Sequence, residues 1–348
     1  MPQPDHIVFS TEDTFSQVLS SYIGETEKNL VLADTNTAKH CFPMLRKAIP
    51  GLEEDKLIVV DAGDDEKNIT NLHQIWSALQ YHGADRSSCL INLGGGMVSD
   101  LGGFAASTYL RGIAYVNIPT SLLGMVDASI GGKTSINISK VKNQAGTFAR
   151  ARAIIIHPAF LETLPENEFF SGYAEVLKTA IAFDREFYYD LIETNPADLP
   201  MVDVIRKAAM IKQEVTARDF HDHGERQCLN FGHTIGHGLE ALYLNKNQEM
   251  KHGFAVAAGM VCASYISAKM MSLPEQTLRQ ITDYCKRSFP VIRFREKDID
   301  DIIALMRHDK KSYDHEIRMS LINSIGNCTF GVAVSEDMIR ESLLYYLQ

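Results

Sequence analysis

Five short runs of apolar residues, at positions 30–33, 57–60, 89–93, 113–118 and 154–156, alternate with helical patterns over 38–49, 67–81 and 98–109. Parallel strands need a long connection between them, usually a helix, so this alternation predicts a parallel sheet with crossover helices. From Pro165 onward the pattern changes. Helical periodicity covers 167–182, 196–218, 227–244, 253–271, 274–287 and 298–307, followed by a strand-like run at 317–322 and a last helix from Glu336. With 348 residues the chain exceeds the usual size of a single core. Two domains are therefore expected: a Rossmann-like α/β domain over residues 1–162 and a mainly α-helical domain over 163–348, with the functional cleft between them. The boundary is read where Pro158 and Pro165 flank residues 160–164.

A net charge of −10 argues against nucleic acid or an anionic membrane as the main partner. Any anionic ligand must be met by local basic residues. The opening Met-Pro-Gln-Pro-Asp-His lacks a basic region followed by an apolar run, so export is not expected and a cytoplasmic location is. Cys41, Cys89, Cys228, Cys262, Cys285 and Cys328 form no CxxC pair and read as reduced core residues rather than a disulfide frame or zinc cluster. Residues 253–268 are weakly charged and rich in Gly, Ala and Ser, but fall short of a bilayer span. They read as a buried helix.

Several segments could carry chemistry. If residues 226–240 are helical throughout, Arg226, Asn230, His233 and His237 fall on one face. That stripe is compatible with a solvated polar face or with a metal or catalytic helix. Gly94, Gly95 and Gly96 follow a strand and open a helix, a context in which the backbone can approach a pyrophosphate. Ser99 stands where the dinucleotide fingerprint has its third glycine, and Gly102 and Gly103 come too late, so a tight structural turn fits equally. Residues 126–134, Val-Asp-Ala-Ser-Ile-Gly-Gly-Lys-Thr, miss the spacing of a phosphate loop, which leaves a glycine-rich turn presenting Lys133. Lys142 and Asn143 lie in a polar stretch that reads as a solvated loop. Glu175 and Lys178, at i and i+3 on an apolar helix, make either a surface ion pair or a carboxylate ligand that joins the histidines. His252, just before the buried helix, is a further ligand candidate or a helix cap.

Taken in order, residues 93–96 with Asp100, Arg111-Gly-Ile, 119–123, 126–134, Lys142-Asn143, 172–178, 229–237 and His252-Gly resemble the 3-dehydroquinate synthase family of sugar phosphate cyclases, across about residues 30 to 325. The resemblance implies an NAD-dependent, zinc- or cobalt-dependent lyase of the shikimate pathway. It would convert the seven-carbon sugar acid phosphate DAHP to 3-dehydroquinate and phosphate by transient oxidation, phosphate β-elimination, re-reduction, ring opening and intramolecular aldol closure. Carried over, the metal ligands are Glu175, His233 and His252. Lys133, Lys178, Lys212, Arg226, Asn230 and His237 match the substrate-contacting set, and their cationic character suits a carboxylate- and phosphate-bearing substrate. Arg111 matches a residue that reaches the phosphate from a neighbouring subunit, which implies a homodimer. One of Lys310 and Lys311 matches a further family lysine. Asp34, Asp64, Lys67, Gly95, Gly96, Asp100, Thr120, Ser121, Asp127, Lys142, Asn143 and Thr163 take the matching NAD positions.

The chain departs from the family pattern in places. Asp64 replaces a glutamate, and the run 218–226 carries Phe220 and Glu225 where another pattern is usual, with Asp222 able to take the acidic role. Phe254 replaces the glutamate that follows His-Gly, removing a carboxylate beside a metal ligand. Other readings are another sugar phosphate cyclase, a metal-dependent polyol (glycerol-type) dehydrogenase that releases NADH, and a binding protein with a lost site. The expected partner is a small sugar acid phosphate, with no nucleic acid and no membrane.

Overall fold

The computed structural model describes residues 5–24, 28–139, 141–307 and 316–348. Contacts divide the chain into one unit of Met1–Phe169 with Lys212–Phe220 and another of Phe170–Ile211 with His221–Gln348. The first unit contains β1 (Ile7–Phe9), α1 (Phe15–Ile23), β2 (Leu30–Asp34), α2 (Thr35–His40), α3 (Phe42–Ala48), β3 (Leu57–Val60), α4 (Ile69–Tyr81), β4 (Cys89–Gly94), α5 (Gly96–Thr108), β5 (Ala114–Pro119), β6 (Lys133–Ile138), β7 (Val141–Phe148) and β8 (Ala153–Ile156). Six of the strands form a sheet in the order β1-β8-β5-β4-β2-β3, and its pairings are parallel.

Every residue of β4 and β8 is buried. A parallel sheet covered on both faces gives continuous apolar runs, which is why these strands are visible in the sequence. Leu30, Leu32, Leu72, Ile75, Leu79 and Leu90 are at most 1% exposed in this core. Each fully buried side chain of that kind contributes about 1.5–3 kcal/mol of transfer free energy. Gly102 lets α5 lie directly on the sheet, since a Cβ there would overlap the Asn92 side chain and crowd Leu32. That contact, rather than a nucleotide, accounts for the late glycine.

The structure corrects the sequence reading at three places here. The single helix read over 38–49 is two, α2 and α3, broken at Cys41 where Pro43 enters the first turn of α3. β1, only three residues long, is too short to show a period. Lys142 and Asn143 are not in a loop but in β7, which pairs antiparallel with β6. β7 has no fully buried residue, so it lacks the apolar alternation that marks a half-buried strand.

The second unit is mostly helical. α6 (Glu166–Phe183) and α8 (Met201–Arg218) each run through a division point, with α7 (Arg185–Glu193) between them. α9 (His233–Asn245), α10 (His252–Met270), α11 (Glu275–Ser288), α12 (Ile299–Arg307), the antiparallel hairpin of β9 (Ile317–Ser324) and β10 (Asn327–Val334), and α13 (Glu336–Leu347) follow. The boundary at 162/163 expected from the sequence gives residues 212–220 to the helical domain. Their contacts run to the first unit: Lys212 Nζ donates to the Asp127 carbonyl at 2.7 Å, the Gln213 amide donates to the Asp5 carbonyl, and Phe220 lies against Phe148.

α10 has the length and apolar composition to cross a membrane, and 72% of that window is buried inside the protein, as the core-helix reading expects. The continuous helix read over 227–244 is not observed. Residues Glu225–Asn230 form a 3-10 helix, Gly232 adopts a left-handed φ of 80°, and α9 starts only at His233. The break follows from packing: a Cβ at Gly232 would meet Met260 N at 2.8 Å and Val256 O at 2.9 Å on α10. Arg226 and Asn230 therefore do not share a continuous helical face with His233 and His237.

Candidate metal centre and nucleotide site

Three helices of the second unit converge through residues without side chains. Gly253 on α10 sits against the Ser171 backbone of α6, where a Cβ would overlap the carbonyl, and its N–H donates to Ser171 Oγ at 3.0 Å. Gly259 meets the Gly232 carbonyl in the same way, bringing α10 against the start of α9. Close backbone approach at these points sets the neighbouring side chains face to face. Glu175 lies one turn beyond Ser171, His252 lies beside Gly253, and His233 follows Gly232.

The result is a cluster of one carboxylate and two imidazoles. Glu175 Oε1 is 3.5 Å from His233 Nε2 and 3.4 Å from His252 Nε2. One ligand atom from each residue falls within 4.8 Å of the others. Glu175 is 1% exposed, and neither of its oxygens has a partner at hydrogen-bond geometry, although Lys178 Nζ approaches Oε2 to 2.5 Å. Lys178 compensates the charge at Oε2, while Oε1 faces the two imidazoles without a hydrogen bond, a polar face that a cation would satisfy. Two histidines and a glutamate suit a divalent ion such as zinc, with a position left open. The group thus fits the metal that the resemblance implies.

Glu240, to which the sequence reading gave no role, completes the surroundings. Its Oε2 accepts from His252 Nδ1 at 3.1 Å, which leaves Nε2 turned toward Glu175. Burial opposes a charged His252, but Glu240 and then Glu175 outweigh it and raise the pKa to about 10. A metal ion would displace that proton, because only a neutral imidazole coordinates. Glu240 thereby gives His252 a carboxylate partner, although Phe254 offers none. The signal for it lay in spacing, since Glu240 falls seven residues after His233 and three after His237 in α9.

Of the other residues expected in this unit, Lys178 pairs with Glu175 and both are 1% exposed. His237 lies one turn after His233, with ring centroids 5.5 Å apart. It also joins Glu240 and His252 in a second group whose ligand atoms lie within 4.8 Å of one another. Arg226 is buried in the 3-10 helix, and Asn230 Nδ2 donates to the Gln227 carbonyl at 3.1 Å. Lys310 and Lys311 lie outside the described residues.

In the first unit the expected nucleotide residues gather near the carboxyl ends of β2, β4 and β5, the edge where parallel α/β sheets hold ligands. Gly95 and Gly96 lie at the N-terminus of α5. A Cβ on Gly95 would stand 3.0 Å from Ser121 Oγ, and one on Gly96 would stand 2.9 Å from the Ala128 Cβ. Side chains would fill this cradle, whereas glycines leave room and amide groups for a pyrophosphate, so the turn fits a dinucleotide. Asp34 Oδ1 caps α2 by accepting from Asn36 N and Thr37 N at 2.8 and 2.9 Å. Burial and then Asp34 push the Cys41 thiol pKa up to about 11, while the nearby Thr120 and Thr163 hydroxyls act to lower it. Asp34, Thr120 and Thr163 thus meet around one cysteine.

A second group joins α4, α5 and the β6–β7 hairpin. Lys67 Nζ pairs with Asp100 at 2.9 Å and Asp64 at 3.3 Å, and Lys142 Nζ lies 3.4 Å from Asp64. Ser135 Oγ contacts both Asp100 Oδ2 at 3.2 Å and Asn143 Oδ1 at 2.8 Å, while Asn137 Nδ2 donates to the Asp64 carbonyl at 2.8 Å. Burial disfavours the charged forms throughout. At Asp100 it outweighs Lys67 and the pKa rises; at Asp64 the two lysines outweigh it and the pKa falls. Ser135 and Asn137 were missed in the sequence because nothing in a polar ribbon distinguishes a linking hydroxyl or amide from a solvated one.

Asp127 lies in a π-helical turn, Gly124–Ala128, and pairs with Lys212. Such turns occur often at functional sites. Lys133 is exposed at the start of β6. Arg111 is exposed with φ 66°, and Leu110 before it has φ 51°, a strained pair for residues with side chains.

Residues 57–171 match the family description "3-dehydroquinate synthase N-terminal" and residues 172–312 match "3-dehydroquinate synthase C-terminal". The 3-dehydroquinate synthase of Parabacteroides distasonis is 39% identical over 325 residues, covering 92% of this chain and 91% of the relative. Among solved structures, the 2-epi-5-epi-valiolone synthase ValA of Streptomyces hygroscopicus subsp. jinggangensis, with NAD+ and Zn2+ bound, superposes with a TM-score of 0.87 at 27% identity, covering 100% of this chain and 98% of that one. A 2-deoxy-scyllo-inosose synthase complexed with carbaglucose-6-phosphate, NAD+ and Co2+ gives 0.82 at 22% identity, with 96% and 95% covered, which speaks for the fold alone. With both halves matched in sequence and the same fold throughout, the chain belongs to the 3-dehydroquinate synthase family.

Proposed function

We propose that the chain is a 3-dehydroquinate synthase that converts DAHP to 3-dehydroquinate and phosphate, with NAD at the first unit's glycine turn and a divalent metal, zinc or cobalt, on Glu175, His233 and His252. The observation that carries the reading is the buried Glu175 carboxylate, whose Oε2 pairs with Lys178 and whose Oε1 faces the His233 and His252 imidazoles at 3.5 and 3.4 Å. The similar 2-epi-5-epi-valiolone synthase supports it, since that enzyme binds NAD+ with Zn2+.

When bound, the metal supplies Lewis acidity for an alcohol and the nicotinamide supplies reversible hydride acceptance, so oxidation and re-reduction cancel over one turnover. The chain's own residues bind and orient the substrate. Lys133, Lys212, Arg226 and Asn230 meet its carboxylate and phosphate, offsetting the net charge of −10 locally. Lys178 pairs with the buried Glu175 carboxylate and orients it. His237, one turn from His233, handles a hydroxyl proton. The proton next to the oxidised carbon goes to the substrate's own phosphate as it leaves, so the elimination needs no strong protein base. Arg111 serves the phosphate of a second copy in a homodimer, and the backbone strain at 110–111 is consistent with a residue held for that use.

The test is to supply DAHP to metal-loaded protein with substoichiometric NAD and follow phosphate. Release of many equivalents per NAD without accumulating NADH is expected. Stoichiometric NADH from glycerol with no phosphate release would instead identify a polyol dehydrogenase.

A further inference from the structure

Phe220, a departure from the family pattern, lies at the end of a closed chain of contacts around the turn that presents Lys133. Gly131 and Gly132 have φ of 97° and 65°, so the turn is in the left-handed region at both positions. Its two sides are held differently. On one, Gly131 N donates to Asp5 Oδ2 at 2.6 Å. On the other, a Cβ at Gly132 would lie 2.9 Å from both Phe220 Cε2 and the Ala149 carbonyl, so the phenyl edge rests on the glycine itself.

Arg150 connects the two sides. Its Nη1 donates to Asp5 Oδ1 at 2.9 Å, and its guanidinium carbon stands 4.1 Å above the centre of the Phe220 ring. Asp5 is 3% exposed and the Arg150 Nη2 atom is buried without a hydrogen-bond partner. A partly desolvated guanidinium over an aromatic face is worth about 0.5–2 kcal/mol, so the stack can take the place of the missing bond. Phe148, its ring 5.6 Å away, supports Phe220 from β7. Lys133 comes next in the chain after Gly132, so the backbone of this turn sets where its side chain begins.

We infer that Phe220, with Arg150 and Asp5, is a positioning residue that clamps the Gly131–Gly132 turn and thereby sets Lys133 against the anionic groups of the substrate. This rests on the proposed reading of Lys133 as a substrate contact. A carboxylate at position 220 would pair with Arg150 directly, whereas the aromatic ring achieves the same closure by its face and also fills the space over Gly132.

The experiment uses the full chain loaded with NAD and zinc, with DAHP as substrate. Lys133→Ala is expected to raise KM by roughly tenfold or more, and Phe220→Ala to raise it severalfold with kcat within about twofold, as fits a loss of substrate placement. Zinc content and NAD affinity stay at wild-type values in Phe220→Ala, and Phe220→Tyr restores KM. Arg150→Met reproduces the rise, and the double variant is no worse than either single one, because both act through one clamp. Amide exchange of Gly131, read without substrate, speeds up in both variants. If Phe220→Ala does not fold, Phe220→Leu keeps the bulk, loses the ring face and carries the same expectations. Wild-type KM and wild-type Gly131 exchange in the Phe220 variants, with KM raised in Lys133→Ala, would overturn the clamp alone. An unchanged KM in Lys133→Ala would overturn the reading of Lys133 and the clamp together, while phosphate release by the wild type would still stand.

Discussion

His252 has one imidazole nitrogen toward Glu175 and the other toward Glu240, and that division of labour decides what the residue can do. A carboxylate accepting from Nδ1–H fixes the tautomer that exposes Nε2 and raises its basicity. Glu240→Gln keeps the shape and removes the charge, so zinc affinity measured by chelator competition should fall by about 10- to 100-fold. Unchanged affinity would leave Glu240 without a part in the metal site. His157 gives a pH prediction elsewhere. It is 2% exposed, stacked on Phe15 at 4.4 Å, and burial lowers its pKa below the ordinary 6.5. The unfolded chain therefore binds the proton first, so the stability from a neutral His157 is complete above about pH 6.5 and is lost as pH falls toward the lower folded value. Thermal unfolding from about pH 7 to about pH 5 should show that loss, and His157→Gln should lack this component.

At the scale of elements, the convergence of α6, α9 and α10 depends on glycines at the crossings. Gly253→Ala drives a methyl group into the Ser171 carbonyl, an overpacking that should destabilise by about 1–3 kcal/mol in denaturant unfolding and loosen metal retention with it. Wild-type zinc affinity in that variant would show that the crossing does not set the site. This scale is also where the sequence was least legible. β2, β4, β5 and β8 stood out because burial makes them continuous apolar runs, while β7 did not because an exposed ribbon needs no apolar pattern and β6 did not because two of its three buried residues, Thr134 and Ser135, are polar. The helix drawn through 226–240 followed from regular spacing alone, and spacing carries no information about how closely α10 approaches Gly232. Glu175 and His252 stood as ligand candidates with a plain alternative each, an ion pair and a helix cap, and only the resemblance chose between them, since their meeting with His233 is set by close contacts among segments far apart in sequence. Glu240 and Ser135 escaped notice because each acts through a partner on another element.

For the whole molecule, the chain combines two halves of different construction. The α/β unit brings together a glycine turn and a network of Asp64, Lys67, Asp100 and Lys142, while the helical unit gathers Glu175, His233 and His252 from three helices into a group that could hold a metal ion. The departures at Phe220 and Phe254 do not dismantle either half: Phe220 closes on Gly132 and Arg150, and Glu240 stands beside His252 where Phe254 offers no acid. Glu225 has no such account in the structure. That Glu175, His233 and His252 hold the metal the reaction needs is the step on which the proposed function depends. It is tested most directly by measuring bound zinc and phosphate release from DAHP side by side in the wild type and in His252→Ala. About one zinc per wild-type chain is expected, and a variant that still folds and binds NAD but retains no zinc and releases no phosphate. A His252→Ala protein that keeps its zinc and turns over DAHP at the wild-type rate would contradict it.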